Sequence, residues 1–226
     1  MEGKRRTGIL VHGCHLFAKG WEEIVWGIPP TKLGRVPKGI LIASLENANT
    51  VVFGTGASEK NGIREADITV EYMWEHFDQL SEFDEFAGYD LGQLRRMMER
   101  VCFIDNQSQN TAEEIKWAGQ IFLDQGVERV VLVSSPTHIC RCLLLAIDTF
   151  SGDEFASIRD VCAVPSDTSY AGYSVRDVVA FEPPHRGDLP AWPVHELVRR
   201  MPALFKKERM GEFLDELDDL LRKYED

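Results

Sequence analysis

The residues best suited to chemistry stand in four short polar segments: His12-Gly13-Cys14-His15, Gly54-Thr55-Gly56 with Arg64-Glu65, Ser108 to Glu113, and Ser134 to Arg141. In the last, His138 and Arg141 are three positions apart, which sets both on one face of a helix. Pro136 suits that helix's first turn, where a missing N–H is no loss, so the basic pair stands at an N-terminus. The helix dipole disfavours a cation there by about 0.3–1 kcal/mol. A bound anion offsets that cost, with Arg141 and the hydroxyls of Ser134 and Ser135 as contacts. His138 can also stay neutral and act as general acid or base, or attack as a nucleophile.

The other three segments each carry two readings. Asn110 or Thr111 is a good helix N-cap, and Glu113 or Glu114 can complete a capping box. Alternatively, Ser108, Asn110, Thr111, Glu113 and the exposed N–H groups hold phosphate or carboxylate oxygens. Gly54 and Gly56 permit close backbone approach, but the third glycine of a dinucleotide fingerprint is missing. Glu65 either complements a helix dipole or turns into the same cleft, where it positions His138 or a ligand hydroxyl. Gly13 lets the chain turn beside a ligand, and His15 lies beyond a strand end. His12 and His15 raise a metal reading, yet no compact partner completes a set at zinc spacing.

Alternating strands and helices must position these segments. The sequence predicts strands over Thr7–His12, Asn49–Phe53, Val101–Ile104, Arg129–Val133 and Ile158–Val164. Helices are expected over Thr31–Ala48, with Pro37 in a first turn, over Arg64–Phe77, over Phe83–Arg100 with a turn, and after the third and fourth strands. The pattern is α/β: a Rossmann-like open parallel sheet of about five strands, with helices on both faces. Every polar segment falls where a strand ends and a helix begins, the edge at which such sheets bind ligands. One domain spans 1–226, with its core over 7–165 and a lid-like loop over 166–193 that includes an edge strand at Val178–Phe181. A C-terminal helical extension over 194–226 carries Met210, Phe213, Leu214, Leu217, Leu220, Leu221 and Tyr224 as an apolar stripe. That stripe packs on the domain or forms a partner contact such as a homodimer.

Composition narrows the function classes. A formal charge of −12 over 226 residues argues against nucleic acid or an anionic membrane as the main partner. No apolar run approaches the ~18 residues of a membrane span, and the N-terminal run is too short for a signal peptide, so a cytoplasmic protein is expected. Cys102 and Cys162 read as reduced thiols inside strands, and Cys140 and Cys142 point to different helix faces, a poor metal or disulfide pair.

The order of these segments resembles domain-of-unknown-function family 218, the YdcF-, SanA- and ElyC-like proteins. The matching residues are Gly13, Gly54 with Gly56, Glu65-Ala66, Ser108 to Glu113, and Val133 to Arg141. The resemblance covers roughly Gly8 to Val164 and implies a Rossmann-like fold with a pocket made by these motifs. Glu114 stands where the family tends to have Asn, and Cys142 where it has Ala. Many relatives are membrane-anchored, some are associated with S-adenosylmethionine and others with cell-envelope functions.

Two function classes remain. One is a small-molecule enzyme, a hydrolase of a phosphoester or pyrophosphate in a phosphorylated or nucleotide-like metabolite. Its catalytic residues are His138, Glu65 and Arg141. The other is a non-catalytic protein holding a nucleotide or S-adenosylmethionine, covered by Tyr170, Tyr173 or Trp26. No metal site is assigned, although a divalent metal held with substrate phosphates is compatible with Glu113 or Glu114.

Overall fold

The computed structural model describes residues 5–169. Five strands form the central sheet: β1 (Thr7–Val11), β2 (Thr50–Gly54), β3 (Cys102–Asp105), β4 (Arg129–Ser134) and β5 (Asp160–Pro165). All neighbours pair in parallel, in the order β3-β2-β1-β4-β5. The arrangement is Rossmann-like. The chain order reverses between β1 and β4, which are in register from Thr7 opposite Arg129 to Val11 opposite Val133. In open α/β sheets a crevice forms beyond the strand C-termini at such a reversal.

The strands are apolar at nearly every position because both sheet faces are covered. Ile9, Val11, Val51, Phe53, Val131 and Val133 point to one face. There they meet α1 (Trp21–Val25), α2 (Arg35–Glu46), α3 (Glu65–Glu75) and α4 (Leu91–Val101). Leu10, Val52, Val130 and Leu132 point to the other, against α5 (Thr111–Asp124) and α6 (Pro136–Phe150). Helix α4 shows how the sequence selects the face: Leu94, Met98 and Val101, at spacings of four and three, are its buried residues. Full burial of one such side chain contributes about 1.5–3 kcal/mol.

The helix expected over Thr31–Ala48 is shorter than its apolar pattern. Residues Lys32–Leu33 pair with Gly27–Ile28 in a small antiparallel hairpin, and the helix starts at Arg35. Pro37 does lie in its first turn. Likewise the stretch after Phe77 opens with 3-10 turns at Phe77–Glu82 and Asp84–Phe86, and α4 begins only after the Asp90 cap, whose carboxylate accepts from Gln93 N–H. A second hairpin, Glu59–Lys60 with Ile63–Arg64, precedes α3.

The first residues of the expected lid are anchored. Ser166 N–H donates to Ser134 O, and Asp167 accepts from Leu33 N–H and pairs with Lys38 at 2.9 Å. The strand expected at Val178–Phe181 and the helices over 194–226 lie outside the described residues. Among the described residues no helix is long and apolar enough to cross a membrane.

Candidate functional site

The C-terminal ends of β1, β2, β3 and β4 surround a pocket of about 360 Å³. Its wall is formed by Gly13, His15, Thr55, Ala57, Glu65, Asn110, Thr111, Glu114, Thr137, His138 and Arg141. Seven of these were singled out from sequence: Gly13, His15, Glu65, Asn110, Thr111, His138 and Arg141. The volume suits a small metabolite.

His138 and Arg141 sit in the first turns of α6, as their spacing requires. Arg141 Nη2 donates to His138 Nε2 at 2.7 Å. A guanidinium has only donors, so Nε2 must be the ring's acceptor. The ring proton of the neutral form is therefore on Nδ1, which reaches Ser134 Oγ at 3.0 Å. Burial, and then the positive charges of Arg35, His12 and Arg141, push the His138 pKa down to about 2. His138 is thus a neutral imidazole in a corner lined with cations. Helix α6 has no side-chain N-cap: Ser135 occupies the cap position, and its Oγ instead accepts from Arg35 Nε at 2.8 Å.

Arg35 had no signal in the sequence, yet it ties the site together. It is only 1% exposed and donates through Nη1 to His12 O and Gly13 O as well as through Nε to Ser135. One buried guanidinium thus pins the end of β1 to the start of α6, across the reversal point.

Beneath the pocket His12 and Glu114 form a buried ion pair, with His12 Nδ1 2.6 Å from Glu114 Oε2. Burial opposes a charge on His12, but the Glu114 carboxylate and the neighbouring Cys142 sulfur outweigh it and raise its pKa well above the ordinary value. His12 is the imidazolium. Glu114 Oε1 accepts from Gly13 N–H at 2.9 Å, so the carboxylate spans two consecutive residues of the β1 end. The negative charge of Glu114 is matched by His12. Gly54 has to be glycine for this pair: a Cβ there would lie 1.9 Å from Glu114 Oε1.

Glu65, at the start of α3, forms the opposite wall. It is 1% exposed, and its Oε2 accepts from Ser58 Oγ at 2.5 Å. Ser58 in turn accepts from Leu16 N–H, which holds the loop after β1. Burial raises the Glu65 pKa; the Ser58 hydrogen bond opposes this, Glu114 adds to it, and the balance stands at about 7. Glu65 does not orient His138, as the sequence reading allowed; Ser134 holds the ring from one side and Arg141 from the other. Glu65 presses so close to Gly13 that a Cβ at that residue would lie 2.3 Å from its Oε1.

Several expected ligand contacts are used inside the protein. Ser108 is fully buried; its hydroxyl meets Thr55 Oγ1 at 2.8 Å and its carbonyl accepts from Gly56 N–H, clamping the β2 and β3 loops together. Gly56 packs against Asn106 in that clamp. Glu113 completes a capping box with Asn110, whose Oδ1 accepts from Glu113 N–H at 3.0 Å and whose Nδ2 donates to Glu113 Oε1 at 2.7 Å. The start of α5 therefore carries its own acid, which disfavours an anion there. Arg64 is exposed; it donates to Gly56 O and pairs with Glu59 at 3.5 Å. Trp26 is buried among Tyr72, His76 and Phe83 and cannot cover a ligand. Tyr170 and Tyr173 lie outside the described residues. Among the described residues no group of three or more His, Cys, Asp or Glu side chains is arranged to hold a metal ion.

The site therefore has two sides. One is cationic, with Arg141 at the surface and Arg35 and His12 behind a neutral His138. The other is a buried carboxyl near its titration midpoint. The arrangement can hold an anion at the α6 start, accept a proton at His138 and donate one from Glu65. Compared with known proteins, the chain matches no family model, no curated protein and no solved structure.

Proposed function

We propose that this protein hydrolyses a small phosphomonoester or related phosphorylated metabolite at the β1–β4 end of its sheet. The observation that carries the reading is the state of His138: a neutral ring of defined tautomer, held against Arg141 at a helix start without a side-chain cap. Phosphate oxygens take the Thr137 N–H in the first turn of α6, where Pro136 has no N–H and those of His138 and Ile139 donate to Ser135 O, and the Arg141 guanidinium, which leaves Nε2 when it turns to the ligand. The ligand's charge also offsets the cations that depress His138, so Nε2 becomes a better base once the anion is bound.

Water then attacks phosphorus. One of its protons passes to His138 Nε2 as the new P–O bond forms. The ester P–O bond breaks, and the departing alcohol oxygen takes the Glu65 proton. Arg35 holds the two loops and the positive field, while the His12–Glu114 pair supports the β1 end. The motif order shared with family 218 supports a pocket at this edge, and membership of that family is part of the proposal. A cytoplasmic location is proposed with it, from the absence of an apolar span in the sequence.

The test is a phosphatase assay over small phosphomonoesters with wild type and His138→Gln. Turnover by wild type, reduced about 10²–10⁴-fold in the variant, is expected of a general acid–base group. A second reading, ligand binding without chemistry, is favoured by the one fact that Arg141 already occupies Nε2. Nucleotide or S-adenosylmethionine binding with no product formed would select it.

A further inference from the structure

We propose that the ligand's charged group is a dianion and that it enters together with one proton, which the Glu65 carboxyl takes up. The inference rests on the anion site proposed above and names its ligand class. Glu65 lines the same pocket as His138 and Arg141, and among the described residues no cation lies within ion-pair distance of it. Its Oε2 is an acceptor for Ser58, and its Oε1 has no hydrogen bond of normal geometry, with the Cys14 backbone nearby.

The charged groups around it come from several elements. Glu114 acts on it from α5 and Arg35 from α2; His12, just past the end of β1, is held by Glu114, while His138 and Arg141 of α6 and His15 of the β1 loop share the pocket. His12 and Glu114 cancel as a pair. With His138 neutral, Arg35 and Arg141 remain against Glu65. An ionised Glu65 leaves a site matched to a single negative charge; a protonated Glu65 leaves one matched to two.

An anion in a pocket of this size stands beside Glu65, and like charges that share a site raise the pKa of the weaker acid. Burial has already brought Glu65 close to neutrality at ordinary pH. Protonated, its carboxyl becomes a hydrogen-bond donor toward a ligand oxygen, in place of a repelling carboxylate. The device favours phosphomonoester and sulfate dianions over diesters and simple carboxylates.

Sulfate is the suitable probe because it does not titrate near neutral pH. Calorimetric titration of the full chain with sodium sulfate at pH 8, in buffers of different ionisation enthalpy, counts protons exchanged on binding. Uptake approaching one proton is expected for wild type, and none for Glu65→Gln, checked for a native melting transition. Sulfate affinity of wild type should weaken by about tenfold per pH unit above the free Glu65 pKa, as proton linkage requires. Binding with no uptake and a flat pH profile overturns the inference and leaves the anion site standing. Uptake that persists in Glu65→Gln overturns the assignment to Glu65. No binding of sulfate or of inorganic phosphate overturns both this inference and the anion site on which it rests.

Discussion

Arg141 and His138 face each other at 2.7 Å, with the guanidinium donating to the imidazole Nε2. A cation beside a histidine usually drives its proton off, and here burial and two further cations act in the same direction. Nitrogen NMR of the His138 ring should therefore show the Nδ1–H tautomer without titration between pH 5 and 8. A ring that becomes imidazolium near its ordinary pKa would contradict the electrostatics described for the site.

Replacing Arg141 removes a charge-assisted hydrogen bond to the ligand. Such bonds contribute about 1.5–3 kcal/mol, so Arg141→Ala should weaken phosphate or sulfate binding by roughly ten- to a hundredfold. Arg141→Lys should recover only part, since an ammonium lacks the fork geometry. The loss should appear in affinity with little change in melting temperature, because Arg141 is exposed.

Stability should vary with pH in a defined sense. His138, depressed to about 2, binds fewer protons folded than unfolded, so its contribution is full above about 6.5 and is lost as pH falls below that. Glu65, raised to about 7, acts oppositely: its contribution is lost as pH rises from the ordinary carboxyl range through 7. The two oppose each other in mildly acidic solution. His12, raised, adds a further loss at alkaline pH. Denaturant melts should therefore show a broad optimum in the mildly acidic range, falling toward both sides. Glu65→Gln should flatten the decline near pH 7, and stability that climbs steadily from pH 6 to 9 would count against these assignments.

The buried pair beneath the pocket is sensitive to either partner. His12→Gln leaves the Glu114 carboxylate buried without a counter-charge, a change that costs about 3–5 kcal/mol in such pairs. Gly54→Ala reaches the same pair from the backbone by driving a methyl into Glu114. Overpacking of that kind costs about 1–3 kcal/mol. Equilibrium unfolding of both variants checks this, and wild-type stability in either would mean that the pair adds nothing to the fold.

Much of the fold was legible because periodicity reports burial. Strands covered on both faces read as apolar runs, and each run was followed by caps and glycines that mark a helix start. The hairpin at Gly27–Leu33 was not, because two-residue strands have no period and Leu33 continues the apolar spacing of α2. In the site, His138 and Arg141 carried a local signal in their spacing behind Pro136. The His12–Glu114 pair carried none, since its partners are brought together only by β1 lying at the sheet's centre. His12 looked like the end of an apolar run, and Glu114 like part of a cap. Arg35 had still less to mark it, because a lone arginine in a helix's first turn reads as surface. Ser108 and Glu113 misled for the opposite reason: good capping and clamping residues are the same types that bind anions.

The central claim is hydrolysis at His138, and the most direct measurement is phosphate release from a panel of small phosphomonoesters by wild type and His138→Gln at equal folded concentration. The account expects release by wild type, a fall of about 10²–10⁴-fold in the variant, and unchanged secondary structure. Equal rates in the two proteins would contradict it.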